Sequence, residues 1–409
     1  MKKSIILSAL IIWAMISCIF AGNVSAMPGG SWASGIKIQN LEAEGVPDGS
    51  LILLLYSASG GDPAYTIQNT AGGSPLTVAS GKSVEVYMPS FSSVGAGEYS
   101  LVINSSVRVS AVVTTTNYTY GMADSYNGMD PDTKVFIPNV YHNHNNWSTE
   151  IFIQNTSETT TAEVSVHFVE PSSSAAAGDG LGDLTKTYSI PARGSQAIDT
   201  TDSAFDGLNW FIGGATISST NNIPLAVVAN QVRLVGTGDI AGNVMISSPG
   251  LPETFASTKI LLPSLYNNFV GASGTWRSGI KIANPSASTT ANVTVAFSSD
   301  PGTTTFSGSR TLSITAGNSA ELYLPNTTLT SPADALMPSQ FKGYAVVESN
   351  IPVVAVVQHT NYTGASGYGV AIGYAGFGSG SSKISLPSLY NWQSGAGVWI
   401  SGIKIQNFS

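Results

Sequence analysis

Three short stretches of this sequence hold residue types that could do chemistry. His142-Asn143-His144 is the only metal-like spacing of imidazoles in the chain. No acid or cysteine accompanies it, and the matching loops elsewhere are composed differently, so it reads as an exposed polar loop. Asp179-Gly180-Leu181-Gly182-Asp183, with Asp199, Asp202 and Asp206 downstream, places carboxylates near glycine turns, a setting that suits calcium. The spacing is not that of an EF-hand loop, and solvated turns are the simpler reading. Gly81-Lys82-Ser83 resembles the end of a phosphate-binding loop, but Leu76 stands where its first glycine should be. Neither a Gly-x-Ser-x-Gly elbow nor a repeated catalytic His appears: His359 follows the last strand of its repeat, where the other copies have Thr115 and Asn230. The expectation is a protein without enzymatic activity, metal or cofactor.

The elements that carry these residues are repeated. Trp32-Ala33-Ser34-Gly35-Ile36-Lys37-Ile38-Gln39-Asn40 returns from Trp147 to Asn155, from Trp276 to Asn284 and from Trp399 to Asn407. Intervals of well over a hundred residues mark whole domains rather than solenoid rungs. Alternation over the stretch predicts a half-buried strand. Trp32, Trp147, Trp276 and Trp399, with Ile36 and Ile38 and their counterparts, should face a core, and Lys37, Lys281 and Lys404 should face water. That outward parity, and Phe152 in the second copy, argue against Lys–Asn crosslinks at this position.

Three further elements recur. A predicted hairpin runs through Leu76–Ser83, Tyr188–Ser195 and Leu312–Ser319, with its glycine sixth in the first and third copies and seventh in the second. A buried strand carries Ala111-Val112-Val113, Ala226-Val227-Val228 and Ala355-Val356-Val357. An opening segment carries Pro138, Pro263 and Pro387 and predicts an edge strand. The domains are therefore 27–130, 131–255 and 256–380, and 383–409 begins a fourth. Short turn-rich linkers suggest an end-to-end rod.

Residues 1–26 read as a secretory signal peptide: Lys2 and Lys3, an apolar run from Ile5 to Phe20, and Val24-Ser25-Ala26. Cys18, the single cysteine, lies inside it, in a loose likeness to a lipoprotein box, so disulfides play no part in the mature chain. No later segment is long and apolar enough to span a membrane as a helix. Of 409 residues only 10% are charged, with 16 basic residues against 24 acidic ones, which speaks against nucleic acid or anionic membrane as partner. The 43% of hydrophobic residues can fill cores, which excludes general disorder.

Leu262 to Tyr266, Trp276 to Asn284 and Pro352 to Val357 resemble the tandem Ig-like modules of large bacterial secreted and cell-surface proteins. The second copy departs from that pattern, with Pro224 one residue too close to Ala226, and the first has no such proline. The resemblance implies an all-β chain of three tandem Ig-like β-sandwich domains plus the first strands of a fourth, and no common catalytic site. The expected function is a secreted structural or adhesive surface component, with cell-surface components or further copies of itself as partners. The second expectation is a carbohydrate-binding accessory protein, with glycans stacked on the repeated tryptophans. The opening strand of the first domain would fall inside the signal peptide. Ile384, Leu386, Leu389 and Tyr390 of another copy could fill that place head to tail; the alternative reading of 383–409 is a fourth domain cut short.

Overall fold

Alternating Ile-x-Ile pairs set the architecture. In the computed structural model Ile36 and Ile38, Ile151 and Ile153, and Ile280 and Ile282 are all buried, each pair in a separate apolar core built from one contiguous stretch of chain. The structure describes residues 27–409 except 170–183, 203–204, 206–209, 236–241, 272–273, 363–368, 390–392, 395–397, 400 and 408–409. Among these, every strand pairing is antiparallel and no α-helix occurs. The acidic run 179–183 and Asp206 lie outside the described residues.

The three stretches repeat one strand order. In the first, a sheet runs Ser83–Tyr87, Trp32–Asn40, Val109–Asn117, Met122–Asn127. The second has Ser195–Asp199, Trp147–Asn155, Leu225–Arg233, Val244–Pro249, and the third Ser319–Tyr323, Gly274–Ala283, the far half of Phe341–Asn361, and Val370–Ala375. The facing sheet of the second stretch runs Leu184–Ile190, Ala162–Val169, Phe211–Ser219, Lys134–His142. That of the third runs Ser307–Ile314, Ala291–Ser299, the near half of Phe341–Asn361, Ser257–Asn267. The first stretch has only Tyr65–Ile67, Leu51–Tyr56 and Ser100–Ser105, and among the described residues no strand pairs with the outer edge of Ser100–Ser105. That edge corresponds to the one taken by Lys134–His142 and Ser257–Asn267 in the other two stretches.

The recurring prolines sit at bulges. Pro138 and Asn139 together oppose one residue, Gly214, and Pro263 and Ser264 together oppose Tyr344. A proline cannot donate to a ladder, and a bulge removes the need. Ser257–Asn267 lies at a sheet rim as expected, whereas Lys134–His142 is followed by the two-residue strand Leu251–Pro252.

The expected hairpin is not one. Leu184–Ile190 and Ser195–Asp199 belong to facing sheets, as do Ser307–Ile314 and Ser319–Tyr323, so the turn between them arches across the core. Its left-handed residue is Gly81 at φ 64°, Arg193 at φ 60° and Gly317 at φ 73°, the sixth residue in every copy. The second copy therefore places an arginine in the left-handed position and leaves its glycine one residue later. Arg193 is held there by an ion pair to Glu158 at 3.3 Å and by the ring of Tyr56, 5.7 Å away.

The strand with the Val pairs also needs a one-residue correction. Ile38 faces Ala111, Ile153 faces Val227 and Ile282 faces Ala355. The counterpart of Ala355 is Val227 rather than Ala226, and the distance from Pro224 then equals that from Pro352 to Ala355. The counterpart of His359 is Gln231, not Asn230, because Thr149 faces Gln231 as Ser278 faces His359.

Residues 383–389 and 401–407 form no strand; around them only Gln393–Ser394 and Val398–Trp399 pair. The fourth motif copy thus lacks the sheet that holds the other three, since an alternating segment is stable as a strand only with neighbours to pair with.

A Cβ at Gly317 would meet nothing within 4 Å, so replacement strains the backbone alone. Gly317→Ala should cost about 1–2 kcal/mol in chemical denaturation, the penalty of a left-handed L-residue.

Candidate functional site

The asparagine that ends each repeated strand is buried and performs one task three times. Asn155 Nδ2 donates to the carbonyls of Thr160, Ile190 and Pro191, and its Oδ1 accepts from Ser157 N–H. Asn284 Nδ2 donates to Thr289, Ile314 and Thr315, and Oδ1 accepts from Ser286 N–H. Asn40 bonds Glu44, Val78 and Glu42 in the same way. Each amide ties the loop after its strand to the arch that crosses the core. The sequence shows these asparagines at a fixed place, but their role comes from carbonyls 30 to 38 residues away.

The tryptophans do not line the three cores. Trp147 is buried beside Tyr141, Ile212, Val244, Ile246 and Ala371, between the second and third stretches, and its indole N–H donates to Tyr362 Oη at 3.3 Å. Trp32, half-buried, packs with Met27, Met122, Tyr120, Val232 and Met245, between the first and second. Trp276 is half-buried near Tyr266, their ring centres 6.1 Å apart. The strand's parity is right for the isoleucines, but the tryptophan sits four residues earlier, past the end of the core. The backbone of Trp399 lies in the short hairpin, and its side chain is outside what is described.

Lys281 is buried, contrary to its outward parity. The parity does point it away from its own core, and the opening strand of the second stretch covers that side. Its Nζ stands 3.7 Å from Glu321, and burial lowers its pKa while Glu321 opposes the shift. Lys37 makes the equivalent pair with Glu85 at 3.2 Å in a more open setting. Beside Lys281 lies a cavity of about 60 Å³ lined by Asn139, Tyr141, Trp147, Glu321, Gln358 and Tyr362. A chain of amides closes it: Asn139 Nδ2 donates to Tyr141 Oη, which donates to Gln358 Oε1; Gln358 Nε2 donates to Gln231 Oε1, and Gln231 Nε2 donates to the Asn139 carbonyl. This is a polar seam fixing two sheets in register.

The seam between the first and second stretches is simpler. Asp124 is buried, and its carboxylate accepts from Ser247 N–H at 2.5 Å. Burial pushes its pKa up to about 8, against the lowering effect of the Ser247 and Ser125 backbone N–H groups. The arch of the second stretch also meets the first, with Ser195 N–H on the Ala58 carbonyl and Gly61 N–H on that of Ala192. The rod expected from the linkers is therefore replaced by stretches that pack along their last strands.

The remaining sequence candidates do not converge. His142 is buried, bonded through Nδ1 to the Thr200 carbonyl and stacked on Phe205. His144 lies against Tyr141 and Trp210. Asp199 Oδ1 accepts from the N–H and hydroxyl of Thr201, a local turn. His359, with its pKa lowered to about 3 by burial, shares a 2.8 Å hydrogen bond with Ser278 Oγ, itself an acceptor for Tyr266 N–H. Ile384, Leu386 and Leu389 are 67%, 46% and 55% exposed, and Tyr390 lies outside the described residues. Lys404 pairs with Asp300 at 2.8 Å and donates to the Gly343 carbonyl.

No family model matches this chain, and no curated protein matches it. Among solved structures, one described as Thermotoga maritima 1070 is similar over 30% of this chain and 93% of its own, at 18% identity and a TM-score of 0.23. The likeness carries no argument about fold or function. Among the described residues no helix is long and apolar enough to cross a membrane. The described residues form an all-β chain of several antiparallel sheets, with buried polar side chains both at the arches and in the seams.

Asn284→Ala should cost about 1–3 kcal/mol, because buried carbonyls lose their donor, with the loss seen as earlier unfolding in urea. Asp124 holds its proton more tightly folded than unfolded, so the stability it lends is full below about pH 4 and is lost as pH rises towards about 8. Melting temperature should fall across that window in the wild type. Asp124→Asn, which keeps an acceptor for Ser247 N–H, should flatten the slope; an unchanged slope would remove Asp124 as its source.

Proposed function

We propose that this protein is a secreted, non-enzymatic structural subunit built from three tandem Ig-like β-sandwich domains, 27–130, 131–255 and 256–380, and that it acts at a cell surface as part of a head-to-tail fibre or layer. The observation that carries the reading is the pairing of two incomplete ends. The outer edge of Ser100–Ser105 has no partner strand among the described residues, and Leu101 and Ile103 beside it are only half-buried. The segment with Ile384, Leu386 and Leu389 repeats the opening strands of the other two domains and exposes its apolar residues. An unpaired sheet edge and an exposed alternating segment are matched donors and acceptors of strand pairing. Residues 383–409 serve in this reading as the donor to the next subunit. The seams add support, since ordered polar contacts between domains suit a load-bearing part.

Carbohydrate binding fits less well, because Trp147 is enclosed and gives up its indole N–H to Tyr362. Fractionation of producing cells, followed by negative-stain electron microscopy of the released protein, tests the proposal. Surface or medium localisation with linear assemblies is expected. Cytosolic protein, or specific capture on a glycan array by single unassembled molecules, would overturn it.

A further inference from the structure

The packing along the last strands follows one rule, and its two ends are both uncovered. Strand pairing makes Asp124, Ile246 and Ile372 equivalent, because they face the equivalent residues Thr115, Gln231 and His359. Ser125, Ser247 and Gly373 are equivalent by the same ladders. Asp124 reaches Ser247, and Ile246 lies so close to Gly373 that a Cβ there would meet its Cγ2 at 2.7 Å. Each contact thus joins one position of a stretch to the next position of the following stretch, and the receiving residue is small both times. Continued once more, the rule leads from Ile372 to a residue equivalent to Ser247 and Gly373, which in this chain is Ser125.

Among the described residues both strands leave side chains exposed on these sides. Val370 and Ile372 are 40% and 43% exposed on the side of their strand turned away from the second stretch. Trp276, at the place where Trp32 and Trp147 enter the two existing seams, is half-buried. Ser125 is exposed and Ala123 half-buried on the opposite side of theirs. A surface that gives and a different surface that receives make a heterologous contact, which propagates without closing.

We infer that Val370 and Ile372 of one copy dock on Ala123 and Ser125 of a second copy, reproducing between molecules the contact that already occurs twice within one. The inference rests on the head-to-tail reading above and specifies its second interface. The two contacts agree in geometry. Within the chain the last strand of one stretch leads through a short linker into the opening strand of the next, and Val370 precedes Pro387 much as Met122 precedes Pro138. The first stretch of the second copy would then take the place of a fourth.

The experiment uses the full chain with Ile372→Asp or Ser125→Arg, whose side chains lie on the face of their strand turned away from the internal seams. Sedimentation velocity over a concentration series should show growing oligomers for the wild type and monomers for each variant alone. An equal mixture of the two variants should form dimers and nothing larger, since only one of the four combinations of surfaces is intact. Ile372→Cys combined with Ser125→Cys should give a ladder of disulfide-linked chains on a non-reducing gel, absent from either single variant, which settles the contact if a charged variant fails to fold. Variants that assemble like wild type, a mixture that stays monomeric, or no ladder would overturn the inference while leaving fibre formation through the strand segment in place. A wild type that is monomeric throughout would remove both.

Discussion

Each core is closed by a single buried primary amide. A β-sandwich has to cross from one sheet to the other, and the crossing strands leave carbonyls that no ladder satisfies. Asn40, Asn155 and Asn284 supply donors to those carbonyls and anchor the loop that follows the central strand. An aspartate only accepts and could satisfy no carbonyl, and a hydroxyl has a single proton to give. The rest of each stretch is arranged around that point: isoleucines beneath it, the arch beside it, and the strand that ends in the seam at the far end.

The seams depend on size as much as on polarity. Close approach of two strands needs a small residue where a side chain arrives, and Ser247 and Gly373 provide it. Buried Asp124 and Lys281 are the expensive parts of this arrangement, because a charge taken out of water is tolerated only with partners. One keeps its proton more tightly and the other yields it more easily, as burial requires. Tyr141, Gln231 and Gln358 instead satisfy one another, which fixes the relative position of two sheets at no cost in charge.

Much of this was legible in the sequence and some could not be. Period-two alternation matches Trp32–Asn40 and Trp147–Asn155 to the residue and the third central strand, Gly274–Ala283, to within two, because isoleucines such as Ile36 and Ile38 see only their own core. The same alternation misplaced Lys281, since the element covering it belongs to another stretch more than a hundred residues earlier. Trp147 was misread for the same reason: burial was expected, and the partner was not its own core. The proline alone points to an edge, whereas at Pro138 a bulge answers the missing N–H. The off-pattern glycine in the second arch and the short step from Pro224 to Ala226 were visible as irregularities. Only the left-handed Arg193 and the strand register explain them.

The middle stretch is the one whose last strand is enclosed on both sides, and Val244, Met245, Ile246 and Ser247 are all buried. The flanking copies, Met122–Asn127 and Val370–Ala375, have one side each in water. A gene that gained or lost a middle stretch by duplication or deletion would therefore present the same two outer surfaces as before. Length in such a chain is a property that can drift without any interface having to be invented.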